Sequence, residues 1–311
     1  MALFAMGRIT GCGDAIIPGG RARLWRHGCG NQQGSLVCAL LFRQAATLLN
    51  IKAIGQRLGL EVLNGLARAS LGAPATLQHG SHTRHAVDYW GEPESDRPLV
   101  IFFYGGGWTS GARRDYRFVA DTFRRLGCDV AVPDYRLYPE VRFDEISKDA
   151  IAAVHHVLAH VAGDRPIVLA GHSAGAQIAM LLTMNRELLG EQADRVSAVI
   201  GLAGPYDFMP FRESLHEDLF GPESAWPASQ PIRFARPDAP PVLLLHGQED
   251  RRVRPRQSRN LAERLTPLGV PVTLHLYPSI GHVDIILGFA AFIRHRSKVV
   301  DDLKAFLTSA L

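Results

Sequence analysis

The chain has 311 residues, 47% hydrophobic and 21% charged, a balance that supplies a sizeable core and excludes a disordered or fibrous protein. Its net charge of +4 is unevenly spread: residues 1–80 hold eight Arg/Lys against Asp14 and Glu61, and residues 81–311 are slightly acidic, so the alkaline pI is no argument for nucleic-acid binding. No apolar run approaches the ~20 residues that span a bilayer. Three of the four cysteines (Cys12, Cys29, Cys38) crowd the start and Cys128 stands alone, which implies neither a disulfide framework nor a structural zinc site.

Residues 1–34 are rich in Gly, Arg and Cys, lack apolar periodicity, and are expected to form a disordered basic leader. The best apolar stretch, Leu36–Phe42, lies far from Met1 and runs into Arg43, unlike a secretory signal, so a cytoplasmic protein is expected. Across 35–75, Leu36, Leu40, Leu41, Leu48, Leu49, Ile51, Ile54 and Leu58 recur at helical spacing, until Gly72-Ala73-Pro74 breaks the pattern.

Residues 80–311 then alternate strand and helix. An edge strand is predicted at Ala86–Trp90 and a doubly buried one at the continuous apolar run Leu99–Phe103. A helix at Tyr116–Leu126, a strand at Val130–Pro133, a helix at Phe143–Val161 and a strand at Pro166–Ala170 follow. After a helix starting near Ala174 come strands at Ala198–Leu202 and Pro241–Leu245, a helix at Pro255–Leu268, a strand at Val272–Leu276 and a last helix near Lys298–Leu307. This alternation predicts an α/β fold, a mostly parallel central sheet with helices on both faces. The insertion at 204–240 is expected to form a small cap over the site, with Phe211 and Trp226 lining an acyl or alcohol pocket.

The sharpest chemical signal is Gly171-His-Ser173-Ala-Gly175, set between a predicted strand and a predicted helix. Glycine on both sides suits a turn too tight for side chains, which lifts the serine hydroxyl clear near a helix N-terminus. A serine needs a base, and the base needs a carboxylate. In chain order after such a serine the carboxylate precedes the histidine. Val242–Asp250 runs from a buried strand into a polar loop and offers Asp250, with Glu249 beside it as the alternative; Leu276–His282 places His282 in a Gly-containing loop after the last strand. The loop Tyr104-Gly105-Gly106-Gly107-Trp108, after an early buried strand, offers free backbone N–H groups for an oxyanion, together with that of Ala174.

Other clusters read plainly. His79, His82 and His85 straddle a loop and a strand start without a carboxylate or cysteine at ligand spacing, so no metal site is expected there. His156 and His160 share a helix face but lack the Glu of a zinc protease between them. Asp207 follows a strand but sits one strand too early for the triad acid, and capping the next turn is its expected role.

With Tyr104–Trp108, Gly171–Gly175, Asp250 and His282 in place, residues 80–310 resemble the alpha/beta-hydrolase superfamily, in its carboxylesterase and hormone-sensitive-lipase-like branch. Pro133-Asp-Tyr-Arg-Leu-Tyr-Pro-Glu140 resembles that branch's Asp-Tyr-Arg-Leu-x-Pro-Glu segment. The resemblance implies the α/β-hydrolase fold, Gly106, Gly107 and Ala174 as oxyanion donors, and no cofactor or metal. It also implies a serine carboxylesterase, and because no long apolar lid is visible in the sequence, small-to-medium acyl esters of small molecules are the expected substrates. Tyr104 departs from the branch's usual His, as in relatives resembling feruloyl and acetyl esterases and kynurenine formamidases. An arylformamidase-like amide hydrolase is therefore the second expectation, and a non-catalytic binding protein on the same fold the third.

Overall fold

The computed structural model describes residues 64–311 apart from Leu66, Arg68, Pro93, Glu94 and Arg212. The predicted leader and most of the predicted helical segment at 35–75 lie outside the described residues; from position 64 the described part of that segment is helical up to Leu71, and Gly72 leaves the helix as the sequence suggests.

Eight strands form one sheet: β1 (Ala75–Gln78), β2 (Ala86–Trp90), β3 (Leu99–Phe103), β4 (Asp129–Pro133), β5 (Ile167–His172), β6 (Val196–Leu202), β7 (Val242–Gly247) and β8 (Val272–Tyr277), in the spatial order β1-β2-β4-β3-β5-β6-β7-β8. The two pairings that involve β2 are antiparallel, and all the others are parallel. The longer helices are α1 (Arg117–Arg125), α2 (Phe143–His160), α3 (Ala174–Met184), α4 (Ser214–Phe220), α5 (Arg256–Leu265) and α6 (Lys298–Ala310). Every residue of β3, β4, β5 and β7 is buried, so both faces of the sheet are covered. That double coverage is why these strands read as continuous apolar runs rather than alternating ones. This is the mostly parallel α/β architecture that the alternation of elements predicts, arranged as the α/β-hydrolase fold that the resemblance implies.

Two expectations need correction. The strand at Ala86–Trp90 is not the edge: β1 pairs along its outer side, Thr76 opposite Asp88, and all five β2 residues are buried. β1 itself is short and largely exposed, so it lacked the apolar pattern that reveals a strand. Strand ends also run further than predicted; β5 reaches His172, paired opposite Leu202, because sheet pairing continues to the residue before the serine.

The parallel strands β3, β5, β6, β7 and β8 all finish on the same edge of the sheet. Loops after β3, β5, β7 and β8 therefore gather at one end, the usual place for a site in an open α/β sheet. The register sharpens this: Phe103 lies opposite Gly171, which sets the glycine loop beside the serine turn. Among the described residues no helix is long and apolar enough to cross a membrane.

Candidate active site

Ser173 sits between the end of β5 and the start of α3 with φ 55° and ψ −121°, backbone angles that L-residues rarely adopt and that cost roughly 1–3 kcal/mol. Packing holds it there. A β-carbon on Gly175 would lie 2.1 Å from the Phe103 carbonyl oxygen, and one on Gly171 would lie 2.3 Å from the Gly175 backbone. Both glycines are thus required by close backbone approach, the physical content of the G-x-S-x-G pattern. The Ser173 N–H donates to the Leu202 carbonyl at 2.9 Å, and the side chain is nearly buried.

Three side chains predicted to act together meet here. His282 Nε2 lies 2.8 Å from Ser173 Oγ, and His282 Nδ1 lies 2.6 Å from Asp250 Oδ2. A carboxylate only accepts, so the Nδ1–H donates to Asp250 and leaves Nε2 free to take the serine proton. Asp250 Oδ1 accepts the backbone N–H groups of Arg252 at 2.9 Å and Val253 at 2.8 Å. Burial alone would push this carboxyl up, but hydrogen bonds from His246 and His282 outweigh it and hold Asp250 well below the usual carboxylate range. It is therefore an anion at any working pH. The alternative acid, Glu249, is exposed, and its N–H donates to the Ile280 carbonyl at 3.0 Å.

His172, the residue before the serine, is buried, and its Nε2–H donates to the His282 carbonyl at 3.0 Å. Burial, then the neighbouring His282, push its imidazole down to about 3, so it stays neutral while it tethers the loop of the candidate base. Among the described residues its Nδ1 has no hydrogen-bond partner. Sequence reasoning assigned His172 no role, because the variable position of the motif gives no hint of a partner 110 residues away.

The glycine loop touches the serine: a β-carbon on Gly105 would lie 3.1 Å from Ser173 Cβ. Gly106 (φ +137°) and Gly107 (φ +60°) adopt left-handed backbone that glycine alone takes without strain. Gly106 turns its carbonyl back into the loop, where it accepts from Thr109 at 3.2 Å and Ser110 at 3.1 Å. Ala174 opens α3, so its N–H belongs to the first turn that has no carbonyl within the helix to meet. The Ala174 N–H, next to the serine at a helix N-terminus, suits a developing oxyanion, and the glycine loop that meets the serine through Gly105 offers further backbone N–H groups.

The loop is braced by the segment after β4. Tyr104 Oη donates to Asp134 Oδ1 at 2.8 Å, and Tyr135 Oη donates to the Tyr104 carbonyl at 2.8 Å. The Arg113 guanidinium pairs with Asp134, and Arg136 forks onto Asp149 at 2.7 and 2.8 Å. The Tyr104 and Tyr135 rings stack with centroids 4.7 Å apart. Asp134-Tyr135-Arg136 is thus a scaffold for the glycine loop, and Tyr104 faces Asp134 rather than the triad.

Residues 204–240 bring rings together. Phe211 lies 4.6 Å from Trp226, 4.8 Å from Phe220 and 5.5 Å from Phe208, centroid to centroid. Trp108, at the end of the glycine loop, joins them, edge-on to Phe220 at 5.1 Å and stacked on Phe208 at 6.0 Å. Trp108 Nε1 donates to Gln177 Oε1 at 3.2 Å, and Gln177 Nε2 donates to the Ser229 carbonyl at 2.7 Å. Phe211 is nearly buried within this cluster, and Trp226 packs at its margin. Asp207 does not cap the following turn as expected. Its carboxylate accepts from Asn260 at 2.7 Å and its backbone engages Gln257, both on α5.

The histidines at 79, 82 and 85 have other partners. His82 pairs with Glu140 at 2.9 Å and His85 with Asp149 at 3.2 Å, while the His156 and His160 rings stack at 4.0 Å. Among the described residues no group of three or more His, Cys, Asp or Glu is placed to hold a metal ion.

Comparison with known proteins adds independent evidence. Residues 89–265 match the family described as BD-FAE. Over 244 residues the chain is 27% identical to the probable isoprenylcysteine alpha-carbonyl methylesterase ICMEL1 of Arabidopsis thaliana, covering 68% of this chain and 51% of that protein. It is 29% identical to esterase LipC of Mycobacterium tuberculosis over 239 residues, 66% of this chain and 58% of that one. The chain thus spans little more than half the length of these relatives. Among solved structures, esterase 2 of Thermogutta terrifontis superposes with a TM-score of 0.65 at 22% identity, covering 77% of this chain and 96% of that one. That likeness shows the fold.

Proposed function

The chain belongs to the BD-FAE family, and we propose that it is a serine carboxylesterase that cleaves small-to-medium acyl esters through an acyl-enzyme. The observation that carries this reading is the continuous line from Asp250 to His282 to Ser173, with separations of 2.6 and 2.8 Å. In the proposed cycle Ser173 Oγ attacks the ester carbonyl carbon as its proton passes to His282 Nε2. Asp250 fixes the imidazole and balances the imidazolium charge. The N–H groups of Gly106, Gly107 and Ala174 stabilise the tetrahedral oxyanion. His282 then protonates the departing alkoxide, which leaves an acyl group on Ser173. Water attacks this ester with His282 again as base, releasing the acid and the free serine. No cofactor enters these steps.

The aromatic segment around Phe211 and Trp226 is proposed as a small cap whose rings limit the acyl chain. Small-molecule esters are the proposed substrates and the cytoplasm the proposed location; Cys128, a buried free thiol, accords with a reducing compartment.

The test is hydrolysis of p-nitrophenyl esters from acetate to laurate by wild type and Ser173→Ala. Turnover favouring the shorter chains, reduced at least ~10⁴-fold in the variant, is the expected result. A folded wild type with no turnover on any ester would sink the reading. N-formyl anilides, the substrates of an arylformamidase-like enzyme, would then be tried.

A further inference from the structure

Asp250 Oδ2, the oxygen that receives His282, faces a second imidazole. His246 Nε2 lies 3.3 Å from it and 2.8 Å from the Val253 carbonyl, and His246 Nδ1 lies 2.7 Å from Ser258 Oγ. Carbonyl and carboxylate oxygens only accept, so Nε2 carries the hydrogen. Ser258 Oγ makes no other hydrogen bond among the described residues, so its hydroxyl donates to Nδ1. His246 is thus held from both sides, each ring nitrogen engaged.

Its position is otherwise an apolar one. His246 follows Val242-Leu-Leu-Leu in β7, and its side chain is fully buried. A buried imidazole there is costly unless both nitrogens are satisfied, whereas leucine would pack without that demand. The polar ring is explained by what it touches.

We propose that His246 is a positioning residue of the triad: its Nε2–H, which donates to the Val253 carbonyl and lies beside Asp250 Oδ2, weakens that oxygen's hold on the proton of His282. The inference rests on the esterase reading above. A carboxylate oxygen with two donors attracts each less strongly than an oxygen with one. Without His246, Oδ2 faces His282 alone while Oδ1 stays pinned by the Arg252 and Val253 N–H groups. The His282 imidazolium is then held more tightly and releases its proton at higher pH, so the acidic limb of kcat/KM moves upward.

The other titratable groups around this pair do not reach Oδ2. His172 packs against the His282 ring, with centroids 5.1 Å apart, and is kept neutral by burial. Asp284 accepts the Gly281 N–H at 2.8 Å within the His282 loop. Glu249, Arg251, Arg252 and Arg254 are exposed.

The experiment compares wild type, His246→Gln and the double variant His246→Leu/Ser258→Ala, all full-length, on the p-nitrophenyl ester turned over fastest. Glutamine keeps an amide donor near the place of Nε2, and the double variant removes the donor without stranding the Ser258 hydroxyl. The double variant is expected to lose about 10-fold in kcat with KM unchanged and to raise the acidic limb by about half a pH unit. His246→Gln is expected to restore the limb. A kcat loss with the limb unmoved, or a limb that glutamine does not restore, makes His246 a packing residue and overturns the proposal. Should the double variant not fold, ¹⁵N-histidine NMR of the wild type decides: a proton on His246 Nε2 whose shift follows the His282 titration supports the proposal, and a bare or indifferent Nε2 overturns it. A wild type inactive on all esters defeats the esterase reading instead, and the NMR measurement still reads His246.

Discussion

The loops after β7 and β8 and the aromatic cluster in the segment between β6 and β7 are held by different kinds of force. The first pair is fixed by directional bonds: three donors converge on Asp250 with the His246 ring beside them, His172 tethers the His282 carbonyl, and Gln248 and Glu249 donate to the Tyr277 and Ile280 carbonyls. Within the segment at 204–240 the cluster of Phe208, Phe211, Phe220 and Trp226 packs ring against ring, while the flanks are tied by Asp218 to Tyr138 and Arg142 and by Arg236 to the Thr183 and Met184 carbonyls. Hydrogen bonds set positions to tenths of an ångström, as proton transfer demands. Ring packing fills volume and tolerates substitution of similar size. Changes in the first region should therefore act on rate, and changes in the second on substrate preference.

The largest effect expected is for Asp250→Asn, which leaves the geometry but disfavours the tautomer that keeps His282 Nε2 free. kcat should fall ~10⁴-fold with KM little changed, while Glu249→Gln stays within about 2-fold of wild type. Steady-state kinetics of the two variants separates the acids; comparable losses would erase the distinction drawn here. Trp108→Ala comes next, because this ring links the glycine loop to the aromatic segment. A loss of ~3 kcal/mol in urea unfolding is expected, together with lower kcat. Phe211→Leu should cost only ~1 kcal/mol and shift the preferred acyl chain by a few carbons, with acetate turnover within about 3-fold of wild type. An unaltered chain-length profile would leave Phe211 a core residue and blur the contrast.

The smallest effect is on pH dependence. His172 titrates near 3 in the folded chain and near 6.5 when unfolded. Between those values the unfolded state binds more protons, so stability rises with pH across that window and is lost as pH falls through it. Urea midpoints at pH 7, 6, 5 and 4 should decline, and His172→Gln should flatten part of the decline. His79, pushed down to about 4 by burial, and His156, lowered for the same reason, keep part of the decline in that variant, joined below about pH 5 by the depressed carboxyls of Asp250 and Asp149. A slope unchanged by the substitution would mean that His172 is not buried as a neutral ring.

The contrast also explains what could be read from the residues alone. Strands buried on both faces declared themselves as runs such as Leu99–Phe103, and the serine turn did so through two glycines whose β-carbons would collide with backbone. β1 did not, because an exposed four-residue strand satisfied by a single neighbour leaves no apolar pattern. His246 and Gln177 were equally silent, since their partners, Asp250 and Ser258 for one, Trp108 and Ser229 for the other, become neighbours only on folding. Polar residues of this kind look like defects in an apolar run until their partners are known. The Asp-Tyr-Arg segment stands out in the sequence only by resemblance, and its physical reason, bracing the glycine loop through Tyr104, lies in contacts 30 and 31 residues apart.

Gly247 has no room for a side chain: a β-carbon there would lie 2.1 Å from the Ile280 carbonyl oxygen. With the backbone bonds from Gln248 and Glu249, this packs the Asp250 loop against the His282 loop with nothing between them. The two loops then open together or not at all, so hydrogen exchange at Gln248 and Glu249 should report one shared opening event. An insertion tolerated in an ordinary surface loop would in either of these displace both partners of the proton relay at once.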